Sequence, residues 1–117
     1  MNIILGDELP QGIGEKYIVL PLDRLRIQGA TDTVQSYCLV ENLPIDEMFH
    51  VEHYVDMHQK LMQNYERRNW LYCLQAIQNL KGKWHGELDS FYDHLQERIT
   101  QLEQQNLTEN WSPVINV

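Results

Sequence analysis

Three features of this 117-residue sequence predict an α+β domain, an N-terminal β-hairpin packed on a C-terminal three-helix unit. Two runs, 17–27 (YIVLPLDRLRI) and 33–41 (TVQSYCLVE), are rich in β-branched and aromatic residues and flank the turn-forming stretch Gln28–Gly29–Ala30–Thr31–Asp32. From Ile45 the apolar residues change to a helical period. The length suits a single domain, 1–117, that buries one core without disulfide or metal staples. Residues 1–44 form its β-rich part, 45–105 its helical part and 106–117 a tail.

Ile3 to Leu5 is a candidate third strand, joined to the hairpin by a loop from Gly6 to Gly14. Pro21 lacks an N–H, so it calls for an edge position or a bulge in the first long strand. In the first helix Met48, Val51, Tyr54, Val55, His58, Leu61, Met62 and Tyr65 share one arc of about 140°. Asp46 and Glu47 suit its positive N-terminal end. The helix ends around Tyr65–Asn69, and a second begins at Trp70, with apolar positions at Cys73, Leu74, Ile77 and Leu80. Lys81 and Gly82 are its stop. The third helix, 86–104, carries Leu88, Tyr92, Leu95, Ile99 and Leu102 at 4-3-4-3 spacing, a seam for the other helices or for a second copy. The tail contains Pro113 and little pattern, and fraying is expected there.

Composition narrows the functional classes. Apolar residues make up 43% and charged residues 22%, which is ordinary for a folded chain and not for a disordered one. No apolar run is long enough to span a membrane. The start, MNIILGDELPQG, shows no basic leader and no long apolar core, so no secretory signal is expected. Cys38 and Cys73 lack a CxxC partner, which points to a reduced, cytoplasmic setting. The net charge of −8 is spread over both halves, with six acids and three bases before Ile45 and eleven and six after it. Such a field repels a phosphate backbone, so direct nucleic-acid binding is not expected.

Residues 60–80 resemble a single tetratricopeptide-type helix pair, with Trp70 at the aromatic turn position and Cys73 as the small residue near the helix crossing. No second copy follows at a 34-residue period, so the resemblance implies a helix-pair shape and no repeat array. GEKYIVLPLD (Gly14–Asp23), YCLVENLP (Tyr37–Pro44) and KGKWHGELDSFY (Lys81–Tyr92) resemble segments of short proteins encoded by T4-like marine phages. That resemblance implies a viral accessory or regulatory factor acting in the host cytoplasm, and it carries over no activity and no site residues.

Few constellations carry chemistry. Lys81, Lys83, Trp84 and His85 form the preferred partner-binding loop, in which the cations would meet an acidic or phosphorylated group and Trp84 would stack. The plainer reading of this loop is a helix stop plus an anchoring tryptophan. His50 and His53 stand three apart and are weak metal candidates with Asp46 or Glu47, whereas His58 falls inside the apolar arc. Asp89, Asp93 and Glu97 form an acidic stripe on the third helix. Gly12 and Gly14 make no phosphate loop, and no nucleophile–base pair is readable.

The sequence thus favours a small acidic, non-enzymatic module that binds another protein, with no cofactor expected. The rivals are a metal-dependent or acid–base enzyme using His50 and His53 with nearby carboxylates, and a homo-oligomer built on helix 86–104.

Overall fold

A computed structural model describes residues 1–41 and 50–117. Pro44, Ile45, Asp46, Glu47 and Met48 lie outside these residues. The fold is α+β, with strands at the N-terminal end and helices toward the C-terminal end. The chain divides into two compact units, Met1–Glu52 with Pro113–Val117, and His53–Ser112.

The first unit holds β1 (Asn2–Leu5), a single helical turn α1 (Ile13–Lys16), β2 (Tyr17–Arg26), β3 (Val34–Glu41) and β4 (Ile115–Asn116). The sheet is mixed, in the order β1-β3-β2-β4. β3 pairs antiparallel with both β1 and β2, and β4 runs parallel to β2. Leu20 faces Cys38 and Ile18 faces Val40 across the ladder, so the alternation of the strands collects Leu20, Cys38 and Val40 on one buried face.

Pro21 sits in β2 at no cost to the β2–β3 ladder. Gly6 N–H bonds to Gln35 O, which makes Gln35, Tyr37 and Leu39 the β3 residues whose backbone groups point at β1. Tyr37 is the residue opposite Pro21, so the missing N–H would have pointed away from β3. Immediately afterwards the register shifts between Pro21 and Arg24. The bulge leaves Leu22 and Asp23 against Ser36, and side chains take up the displaced carbonyls. Gln35 Nε2 donates to Leu22 O at 2.9 Å and Ser36 Oγ donates to Asp23 O at 2.6 Å.

The end of the tail, where fraying is expected, is paired to β2. Val117 N–H donates to Arg26 O at 2.9 Å and Gln28 N–H donates to Val117 O at 2.8 Å, extending β4 along β2. After the bulge, the outer backbone groups of Arg26 and Gln28 need a partner, and the tail supplies one.

The second unit is built on α2 (Val51–Glu66, entered at His53), α3 (Trp70–Leu80) and α4 (Asp89–Glu103). Each helix buries one stripe: His58, Leu61, Met62 and Tyr65 on α2; Cys73, Ala76, Ile77 and Leu80 on α3; Tyr92, Leu95 and Ile99 on α4. Spacings of three and four put each set on one face, and each large apolar side chain contributes about 1.5–3 kcal/mol on burial. Cys73 lies where α3 crosses α2, its Sγ 3.7 Å from Leu61 O.

α2 ends in a Schellman motif. Asn69 N–H bonds to Asn64 O and Arg68 N–H to Tyr65 O, with Arg68 at φ 62, where glycine is usual. The arginine side chain explains the exception. Its Nη2 donates to Thr108 O at 2.6 Å and its guanidinium lies 5.3 Å from the Trp111 ring. Trp111 in turn closes an aromatic triad with Tyr65 and Trp70, at centroid separations of 5.7–5.8 Å.

Two outcomes follow. Arg68→Ala should destabilise more than Arg68→Gly, by about 1 kcal/mol, because both lose the clamp on Thr108 and Trp111 but only glycine relieves the left-handed backbone. Urea denaturation measures this, and the opposite order would remove the Schellman account. Burial pushes the Cys73 thiol from 9.0 up to about 11. A raised folded pKa contributes stability that is present below the unfolded value and is lost as pH rises through the folded one. Between pH 9 and 11 the protein should therefore lose about 2–3 kcal/mol relative to Cys73→Ala. Parallel pH profiles for the two proteins would contradict it.

Candidate functional site

The Lys81–Leu88 connection is two tight turns in series. Lys81 at φ −60, ψ 131 and Gly82 at φ 82 form a type II turn closed by Lys83 N–H to Leu80 O at 3.0 Å. His85 at φ 53 and Gly86 at φ 79 form a type I′ turn closed by Glu87 N–H to Trp84 O at 3.0 Å. Both glycines occupy the positions where φ must be positive. Asp89 Oδ1 accepts from Gly82 N–H at 2.8 Å and ties the first turn to the start of α4.

This geometry turns Trp84 inward. It is 1% exposed, so the stacking surface expected of it is a buried anchor instead. Its Nε1–H donates to the Tyr92 hydroxyl at 3.0 Å, and the same hydroxyl lies 2.8 Å from His58 Nδ1. All three residues are buried. An indole N–H only donates, so the Tyr92 oxygen accepts from Trp84, while the direction of its bond with His58 Nδ1 follows the imidazole tautomer. Among the described residues no buried side-chain nitrogen or oxygen lacks a partner.

The other loop residues stay outside. Lys81 is paired with Asp93, which raises the lysine pKa through that hydrogen bond and charge. Lys83 Nζ lies 5.6 Å from the Tyr54 ring centroid. His85 is exposed. The loop therefore presents two cations that already have local partners, with Glu87, Asp89 and Asp93 close in sequence. The acidic stripe is largely accounted for in the same way, since Asp89 braces the turn and Asp93 meets Lys81. Glu97 borders a shallow polar depression with Lys81, Asp93 and Gln96.

His50 and His53 are both exposed, and His53 lies 5.6 Å from the Tyr54 ring. Among the described residues no three His, Cys, Asp or Glu side chains are grouped to hold a metal ion, and Asp46 and Glu47 fall outside them. α4 starts at Asp89, not Gly86, because Gly86–Leu88 belongs to the turns. Of its seam, Leu88, Tyr92, Leu95 and Ile99 are each 0% exposed within this chain, and Leu102 is half-buried.

The feature that sequence reasoning missed is the outer side of β1. The Gly6–Gln35 bond makes Asn2, Ile4 and Gly6 the residues bonded to β3. By alternation the N–H and C=O groups of Ile3 and Leu5 point outward, away from the sheet. Among the described residues β1 has no strand on that side. The side chains of Ile3 and Leu5 stand on one face and are 50% and 53% exposed. The short apolar run was legible, but which residues face outward depends on a register that only the fold supplies.

No protein-family model, curated protein or solved structure matches this chain. Among the described residues no helix is long and apolar enough to cross a membrane.

Tyr92→Phe tests the buried chain. It keeps the ring but removes the hydroxyl that accepts the Trp84 N–H and meets His58 Nδ1, a loss of about 2–4 kcal/mol in urea denaturation. A loss below about 1 kcal/mol would show that the hydroxyl is not a structural junction.

Proposed function

We propose that this chain is a non-enzymatic protein-interaction module, an accessory or regulatory factor that holds its partner by accepting a strand at the open edge of β1. The observation that carries this reading is the edge itself. Protein sheets blunt their edges with lysine, proline, bulges or shortness, and of these Asn2–Leu5 has only its shortness. Two outward residues offer four backbone groups, and pairing them contributes on the order of 0.5–1.5 kcal/mol for each hydrogen bond. With only four residues in the strand, such a contact is reversible by design.

The Lys81–His85 loop is the weaker surface. Its tryptophan is buried, and Lys81 and Lys83 already have partners in the chain.

The parity of β1 provides a selective test. Leu5→Pro removes an outward N–H, while the inward bonds of Ile4 and Gly6 remain, so the sheet should lose no more than about 1 kcal/mol. Immobilised wild-type protein should retain a partner from cell extract that Leu5→Pro does not retain. Lys83→Glu serves as the loop control and should behave like the wild type. Loss of the partner by Lys83→Glu but not by Leu5→Pro would move the contact to the loop.

A further inference from the structure

The unit that carries β1 is strongly acidic and its edge is apolar, and together these specify the chemistry of the incoming strand. Ile3 and Leu5 alternate along one face of β1 with exposures of 50% and 53%, and Met1, just before the strand, is 51% exposed. A strand pairing with Ile3 and Leu5 places its own alternate residues beside them, so those residues must be apolar. β1 itself carries no charge. Immediately beyond it the chain passes through Asp7 and Glu8. Asp7 is held by the Arg24 guanidinium, with contacts of 3.0 and 3.3 Å. Glu8 is exposed and makes no ion pair among the described residues. The unit has nine acids and three bases, and one of those bases, Arg24, is engaged by Asp7.

A second copy of the chain is therefore a poor occupant, since two such units repel. An antiparallel strand runs toward Asp7–Glu8 with its N-terminal end, so a cation there meets the free carboxylate. Resting on the reading of β1 as the contact, we infer that the partner segment is an extended peptide with apolar residues at alternate positions and basic residues at its N-terminal end.

Fluorescein-labelled peptides test this by anisotropy against the full chain. The probe has two lysines followed by alternating valine and threonine. A second peptide has two glutamates in place of the lysines. A third is the lysine peptide N-methylated at alternate residues, on the side that would donate to β1. The lysine peptide should bind at least tenfold more tightly than the glutamate peptide at low salt, and the gap should narrow as salt is added. N-methylation, or Leu5→Pro in the protein, should weaken the lysine peptide at least tenfold. Glu8→Gln should weaken it about threefold.

Equal binding of the lysine and glutamate peptides, both lost in Leu5→Pro, would overturn the charge inference and leave the edge reading standing. Failure of every peptide, or lysine-peptide binding indifferent to Leu5→Pro, would overturn both. Sedimentation at twice the chain mass, abolished by Leu5→Pro, would show a second copy on the edge and overturn the basic-peptide inference.

Discussion

In the helical unit one buried hydroxyl ties together three segments that apolar packing alone would hold less strictly. Tyr92 on α4 receives the Trp84 N–H from the preceding loop and meets His58 of α2, so one oxygen joins three segments of the chain. Apolar packing is tolerant of small shifts, whereas two short hydrogen bonds of 3.0 and 2.8 Å are not. The junction sets how far Trp84 can sink and hence which way the two turns around it face. The outward placement of Lys83 and His85 is a consequence of that inward commitment.

Much of the fold was legible because it is local. The strand runs 17–27 and 33–41 anticipate β2 (Tyr17–Arg26) and β3 (Val34–Glu41), since alternation and turn chemistry act over a few residues. The helical stripes around His58, Cys73 and Tyr92 follow from spacing in the same way. Trp84 was ambiguous because its direction depends on a type II turn and a type I′ turn acting together, each of which alone is compatible with an exposed tryptophan. Arg68 was not recognisable as the left-handed helix cap, because its justification lies forty residues away at Thr108. Pairing of the tail with β2 has no local signal at all.

The Lys81–His85 loop and the β1 edge differ in physical kind as binding surfaces. The Lys81–His85 loop offers side chains whose charges are already met, so a partner would have to compete with Asp93 and with the Tyr54 ring. Among the described residues no strand pairs with the outward backbone groups of the β1 edge, so a partner strand would not have to displace one. Such a contact reads side chains only at alternate positions, so it combines low sequence demand with a strict demand for extended conformation.

The parallel pairing of β4 with β2 has a consequence for how the molecule assembles. Leu25 and Ile115 are partners although ninety residues separate them, and the whole helical unit lies in between. Closing a flexible loop of that length costs roughly 4 kcal/mol of chain entropy, more than two residue pairs readily return. His53–Ser112 forms a compact unit of its own, so β4 has no helical neighbour in sequence to hold it beside β2 while that unit folds. With only two residue pairs set against that entropy, β4 is the most weakly secured strand of the sheet. Its detachment uncovers the outer side of β2 near Arg26 while the β1–β3–β2 core persists, which makes it the natural point of local opening.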